Sequence, residues 1–112
     1  MSVQQELGNR NNEGKTTYHL LSWKAIEEIC KVYMMGAKKY GEYNWLKGLK
    51  FSNSFNSGMR HRLAWWQGED LDKESGLNHL AHSAWNDIAN LTFALEGRTH
   101  LDDRLKPLVT VQ

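Results

Sequence analysis

Apolar residues recur at helical spacing in three stretches of this chain. The first runs from Ser22 to about Lys39, where Ala25, Ile29, Val32 and Tyr33 share a face with Ile26 and Cys30 beside it. Ser22 stands where a cap belongs, Glu27 and Glu28 lie in the first half, and Lys38, Lys39 and Gly41 supply the stop. The second runs from Ser52 to Gln67, with Ser52 as candidate cap and Phe55, Met59, Leu63 and Trp66 as the apolar stripe; Gly68 ends it. The third is the clearest, from about Gly76 to Glu96. There Leu77, Leu80, Ala81, Ala84, Ile88, Leu91 and Leu95 mark one face, and Gly97 follows. Between the first two lies YGEYNWLKGLKF at 40–51, rich in glycine and aromatics. Residues 1–16 are polar and aperiodic and predict a flexible N-terminal arm. Residues 98–112 predict a tail: a short helix, Pro107, then LVTV at 108–111 as an extended segment suited to packing on a partner subunit. No internal repeat or strand pair stands out. The expectation is an all-α chain, a small bundle of three main helices over residues 17–97, completed by oligomerisation.

Composition narrows the function classes. A chain of 112 residues makes one small domain, and such a domain hides only roughly two-thirds of its unfolded surface. Fourteen basic and 13 acidic residues leave a net charge of +1, so bulk charge argues for neither DNA nor RNA polymers nor a membrane surface. Cys30 is the single cysteine, which excludes an intrachain disulfide and a thiolate zinc cage and suits a reducing compartment. No apolar run approaches the ~18 residues of a membrane span, and the N-terminus lacks a signal peptide's apolar stretch. The expected setting is the cytoplasm. Five Trp and four Tyr suit either a core or stacking on a planar ligand.

The polar positions carry the candidate chemistry. On the third helix His79, His82, Asn86 and Asn90 step by three, four and four along the face opposite the leucines. The second helix offers Ser57, Arg60, His61 and Ala64 at similar spacing. Turned towards each other, these faces make a polar cleft needing water, ions or a ligand; turned outward, they meet solvent. Between them, Asp70, Asp72 and Glu74 alternate in GEDLDKES. Three carboxylates in a turn-prone segment suit a hard divalent cation, and the same residues suit a helix N-terminus, with Ser75 as cap. Position six and position twelve of an EF-hand loop would be Ser75 and Ala81, which excludes that motif. His79 and His82 are either structural residues or contacts to a metal, phosphate or water. Lys39 beside Asn44 and Trp45 pairs a cation with a stacking ring and an amide able to read a base edge. There is no P-loop, Rossmann fingerprint or nucleophile triad.

GAKKYGEYNWLKG at 36–48 and SGMRHRLAWWQGEDLDKESGLNHLAHSAWN at 57–86, with NEGK at 12–15, resemble the phage-associated dATP/dGTP diphosphohydrolase domain family over roughly residues 13–96. That family looks related to the MazG-type all-α nucleoside triphosphate pyrophosphohydrolases. The resemblance implies an oligomeric all-α nucleotide-binding domain at 17–97, working in the host cytoplasm if phage-encoded. It implies cleavage of a purine deoxynucleoside triphosphate to monophosphate and pyrophosphate, with Mg²⁺ or Mn²⁺. The MazG-type pattern pairs ExxE with ExxD; here Glu69 to Asp72 supplies the ExxD letters and no ExxE precedes them.

Two functions follow. In the first, Asp70, Asp72 and Glu74 hold the metal. His79 and His82 position water or phosphate beside the catalytic Asp70 and Asp72. Lys39, Arg60 and His61 neutralise phosphates, while Asn44, Trp45 and Asn86 contact the purine nucleotide. In the second, motivated by the missing ExxE, the same cleft binds and sequesters a nucleotide or nucleotide signal without turnover.

Overall fold

The computed structural model describes residues 6–106. Three α-helices form it: α1 at Trp23–Tyr40, α2 at Phe51–Trp66 and α3 at His79–Leu95. Short 3-10 turns cover Tyr18–Leu20, Asn44–Lys47 and Thr99–Leu101. Among the described residues there is no strand, only an isolated antiparallel bridge between Leu71 and Asn78. The all-α three-helix bundle is thus as expected. No helix among the described residues is long and apolar enough to cross a membrane.

The start of α1 is local chemistry. Ser22 Oγ accepts a hydrogen bond from the Ala25 N–H at 3.3 Å, satisfying a donor the helix cannot use internally. The start of α2 is not local. Ser52, the expected cap, lies inside the helix. Its N–H donates to Asp103 Oδ1 at 2.9 Å and its hydroxyl donates to the same carboxylate. A carboxylate 51 residues away therefore caps α2 and sits at its positive end. Lys50 Nζ donates to His100 O at 3.1 Å nearby. The chain after α3 thus packs on its own bundle as far as Arg104, whose guanidinium lies 5.5 Å over the Phe51 ring, with Leu101 buried in the core. The LVTV segment falls outside the described residues.

The largest departure concerns which faces are buried. Of the leucines on the expected stripe of α3, Leu80, Leu91 and Leu95 are exposed, Leu95 to 79 %. On α2, Phe55, Leu63 and Trp66 are likewise exposed. Of the expected α3 stripe Ala81 is buried; with it the buried residues of α3 are His79, His82, Ser83, Asn86, Ala89 and Phe93, and those of α2 are Phe51, Ser54 and Gly58. Small residues explain the inversion. A Cβ at Gly58 would lie 3.3 Å from Asn86 Cβ, so the two helices approach there as closely as a missing side chain allows. The polar atoms that this contact buries are largely paired: Asn86 Nδ2 donates to His82 O at 2.9 Å, and Asn90 Nδ2 to Phe51 O at 3.2 Å. Towards the other end of the pair, Phe51, Ala89, Phe93 and Leu101 form the apolar core, backed by Trp45, Leu49 and Trp85. α1 adds Val32 and a set of tilted aromatic contacts, with Tyr33 at 5.7 Å from Trp45 and 5.8 Å from Trp85.

Candidate functional site

The polar seam between α2 and α3 ends in a cluster of imidazoles. His61 comes from α2, and His79 and His82 from α3. The Leu71–Asn78 bridge folds residues 70–79 back on themselves. Three backbone bonds tighten this turn: Asp72 N–H to Leu77 O at 2.8 Å, Gly76 N–H to Asp72 O at 2.7 Å and His79 N–H to Asp70 O at 2.9 Å. The fold-back delivers Asp72 to the histidines. Ligand atoms of His61, Asp72 and His79 all lie within 4.8 Å of one another.

Each ring is held. His61 Nδ1 lies 2.8 Å from His79 Nδ1, and His79 Nε2 lies 2.9 Å from Glu69 Oε1. The His61 ring stacks on His82 with centroids 4.3 Å apart and planes 8° apart. His82 Nε2 lies 2.8 Å from Ser75 Oγ. Ser75 does not cap α3, whose cap position is Asn78 with no side-chain bond. Its hydroxyl serves His82 and the Leu77 N–H instead. Burial lowers the His61 and His82 pKa values, helped by the mutual repulsion of the rings, so both favour the neutral imidazole that binds metals. For Asp72, partial burial acts to raise the pKa, but the bonds from the Ser75 N–H and the nearby histidines together keep it below the ordinary carboxylate range.

Beside the cluster opens a cleft of about 1020 Å³. Of the candidate residues, Lys39, Asn44, Trp45, His61, Asp72, Glu74, His82 and Asn86 all line it. Tyr33 and Trp85, whose side chains carried no functional expectation, complete its aromatic wall. The remaining candidates lie elsewhere. His79 is 4 % exposed and sits behind the cleft, in the cluster but not in the lining. Arg60 is exposed on α2 and does not line the cleft. Asp70 turns to a separate, smaller hollow beside Trp65, Glu28 and Asn78. The three alternating carboxylates therefore do not converge, because the tight turn after Leu71 breaks the period-two geometry. Only Asp72 joins the metal-capable group. Glu69, seen in the sequence only as the first letter of ExxD, is the partner of His79, a pairing that the fold-back brings about.

Two comparisons bear on this chain. Residues 5–104 match the family described as dATP/dGTP diphosphohydrolase, N-terminal. A Salmonella phage PMBT28 protein named dATP/dGTP diphosphohydrolase is 34 % identical over 97 residues, covering 87 % of this chain and 33 % of that protein. The chain therefore spans about a third of the length of that relative. No solved structure matches.

Proposed function

Because the chain belongs to the dATP/dGTP diphosphohydrolase N-terminal family, we propose that it hydrolyses a purine (deoxy)nucleoside triphosphate to the monophosphate and pyrophosphate with the help of a divalent cation. The observation that carries this reading is the make-up of the cleft beside the histidines. Its described lining holds an aromatic wall, two of the three metal-capable residues, His61 and Asp72, and one Lys or Arg side chain, Lys39, against the carboxylates of Glu42, Asp72 and Glu74. A triphosphate entering so acidic a cleft meets net repulsion unless a cation intervenes. The same balance disfavours a metal-independent nucleotide trap, which would need several Lys or Arg donors.

The donor set fits a cation: two imidazole nitrogens and one carboxylate oxygen, from His61, His79 and Asp72. A cation bound there supplies polarisation of phosphate oxygens and a water of lowered pKa. The protein's own groups do the rest. Asp72, fixed by the Ser75 N–H at 2.8 Å, holds negative charge at the cluster. His82, pinned by Ser75, presents its ring to the cleft and orients water or phosphate. Lys39 pairs with a phosphate oxygen. Trp45, with Tyr33 and Trp85, stacks the base. Asn86 spends its Nδ2 on His82 O and Ser57 Oγ, which leaves Oδ1 to accept from the nucleotide. Asn44 supplies a second amide. We further propose that a second copy of the chain covers the exposed Phe55, Leu63 and Trp66 of α2.

The test is Asp72→Asn. The amide keeps an oxygen for the Ser75 N–H, so the fold should persist by circular dichroism while turnover of dATP and dGTP disappears. Wild-type turnover in this variant would remove Asp72 from the site.

A further inference from the structure

We propose that the His61–Asp72–His79 cluster is built for a divalent transition ion of the Zn²⁺ or Co²⁺ class rather than for Mg²⁺, and that Glu69 positions His79 for it. The inference deepens the functional reading above by naming the class of ion.

The hydrogen bonding places one hydrogen. Glu69 Oε1 accepts from His79 Nε2 at 2.9 Å, so that nitrogen carries the hydrogen. In the neutral ring Nδ1 then holds a lone pair. That lone pair faces His61 Nδ1 at 2.8 Å. Two arrangements satisfy such a contact: a hydrogen on His61 Nδ1, or a cation shared by both nitrogens. The carboxylate of Asp72 lies within 4.8 Å of both ring donors, so a third donor stands beside the pair for the second arrangement. Two nitrogens bound at about 2.0–2.1 Å to one ion stand about 2.9 Å apart at a right angle and about 3.3–3.4 Å apart at the tetrahedral angle, so a tetrahedral ion parts the two rings by about half an ångström from their 2.8 Å contact.

The donor types then select the ion. Mg²⁺ takes oxygen ligands in a strict octahedron and keeps much of its water. Imidazole suits Zn²⁺ and its neighbours, and affinity rises along the first row from Mn²⁺. A set of two imidazoles and one carboxylate is thus poor for Mg²⁺ and good for Zn²⁺ or Co²⁺. A carboxylate behind a ligating histidine is the usual second layer of such sites, fixing the tautomer and making the ring a better donor. Stacking on His82 locks His61 in the same way through shape. Three protein donors leave further positions for water or substrate, and two of the three donors line the cleft.

The experiment is calorimetric titration of metal-stripped protein, without nucleotide, using Zn²⁺, Co²⁺, Mn²⁺ and Mg²⁺ in turn. Co²⁺ loading is also followed by its visible absorption. We expect one saturable site for Zn²⁺ and Co²⁺, a weaker one for Mn²⁺, and no saturation by Mg²⁺ over the range that saturates Zn²⁺. Glu69→Gln should weaken Zn²⁺ on the order of 10–100-fold at unchanged stoichiometry. His61→Asn, on the accessible side of the cluster, should abolish the site while the helical spectrum stays intact. Mg²⁺ binding as tight as Zn²⁺, or Zn²⁺ binding untouched in His61→Asn, would overturn the proposal. Because no nucleotide is present, a failure here is distinct from a failure to hydrolyse dATP or dGTP.

Discussion

Truncating Phe93 to alanine should be among the most damaging single changes in this chain, and truncating Leu95 among the mildest. The two lie two residues apart on α3 and point to opposite sides: Phe93 is fully buried and Leu95 is 79 % exposed. Phe93 packs in the cluster with Phe51, Ala89 and Leu101, meets Trp45 at 5.9 Å, and carries the Arg98 guanidinium 5.2 Å over its ring. Removing a fully buried phenylalanine costs about 3–5 kcal/mol, cavity included, and the lost cation–π contact adds about 0.5–1 kcal/mol. That is a large part of the ~5–15 kcal/mol that stabilises a small domain. For a domain of this size each kcal/mol moves Tm by about 4–8 °C, so the midpoint should fall by more than about 10 °C. Leu95→Ala touches only surface and helix propensity and should stay within about 0.5 kcal/mol. The assay is thermal and urea unfolding by circular dichroism, at two protein concentrations. Phe93→Leu serves as the milder variant if Phe93→Ala does not fold. Equal losses from Phe93 and Leu95 at low concentration would refute the assignment of the inward face.

Other outcomes follow from single contacts. Gly48 has φ 112° and a Cβ there would meet Leu101 Cδ1 at 3.1 Å, so Gly48→Ala should destabilise by more than about 1 kcal/mol. Gly36→Ala, with open space in mid-α1, should stabilise by about 0.5–1 kcal/mol; unfolding midpoints check both. The Ser52 hydroxyl and N–H hold the Asp103 carboxyl below its usual pKa, so its contribution is present above the unfolded value of 3.8 and is lost as pH falls through the folded one. The Tm gap between wild type and Asp103→Asn should therefore exist at neutral pH and close in acid; a gap that persists there contradicts the capping role. Light scattering coupled to size exclusion should give a mass above one chain, and Leu63→Ser with Trp66→Ser should lower it. A monomer in both cases would leave the α2 face without a partner copy.

Much of the backbone was legible because its signals are local. Ser22, Lys38, Lys39 and Gly41 bracket α1 to within a residue at each end. The boundary of α2 slipped by one because its cap, Asp103, comes from the far end of the chain. The start of α3 moved from Gly76 to His79 because Ser75 serves His82 and the Leu71–Asn78 bridge occupies the turn. The inward faces were harder to see. Hydrophobicity marks a face that hides from water in isolation, but Ser54, Gly58, Ser83 and Asn86 are buried by close helix approach, with the Asn86 amide paired to His82 O and Ser57 Oγ. The histidines followed the same logic. Their helical spacing showed that they share a face, and Asp72 was visible as a carboxylate near them. Which of Asp70, Asp72 and Glu74 reaches the rings was decided by a ten-residue turn whose geometry no periodicity records. Glu69 could be placed beside His79 only by that turn.

The proposed reaction is hydrolysis of a purine nucleoside triphosphate in the cleft, with a cation held at His61, Asp72 and His79. The most direct measurement incubates the purified protein with each deoxy- and ribonucleoside triphosphate, with Zn²⁺, Mn²⁺, Mg²⁺ or EDTA, and separates the products by chromatography. Monophosphate and pyrophosphate from a purine substrate, and no turnover in EDTA, are the results expected of this reaction. Intact nucleotide under every condition, or orthophosphate released in place of pyrophosphate, would contradict it.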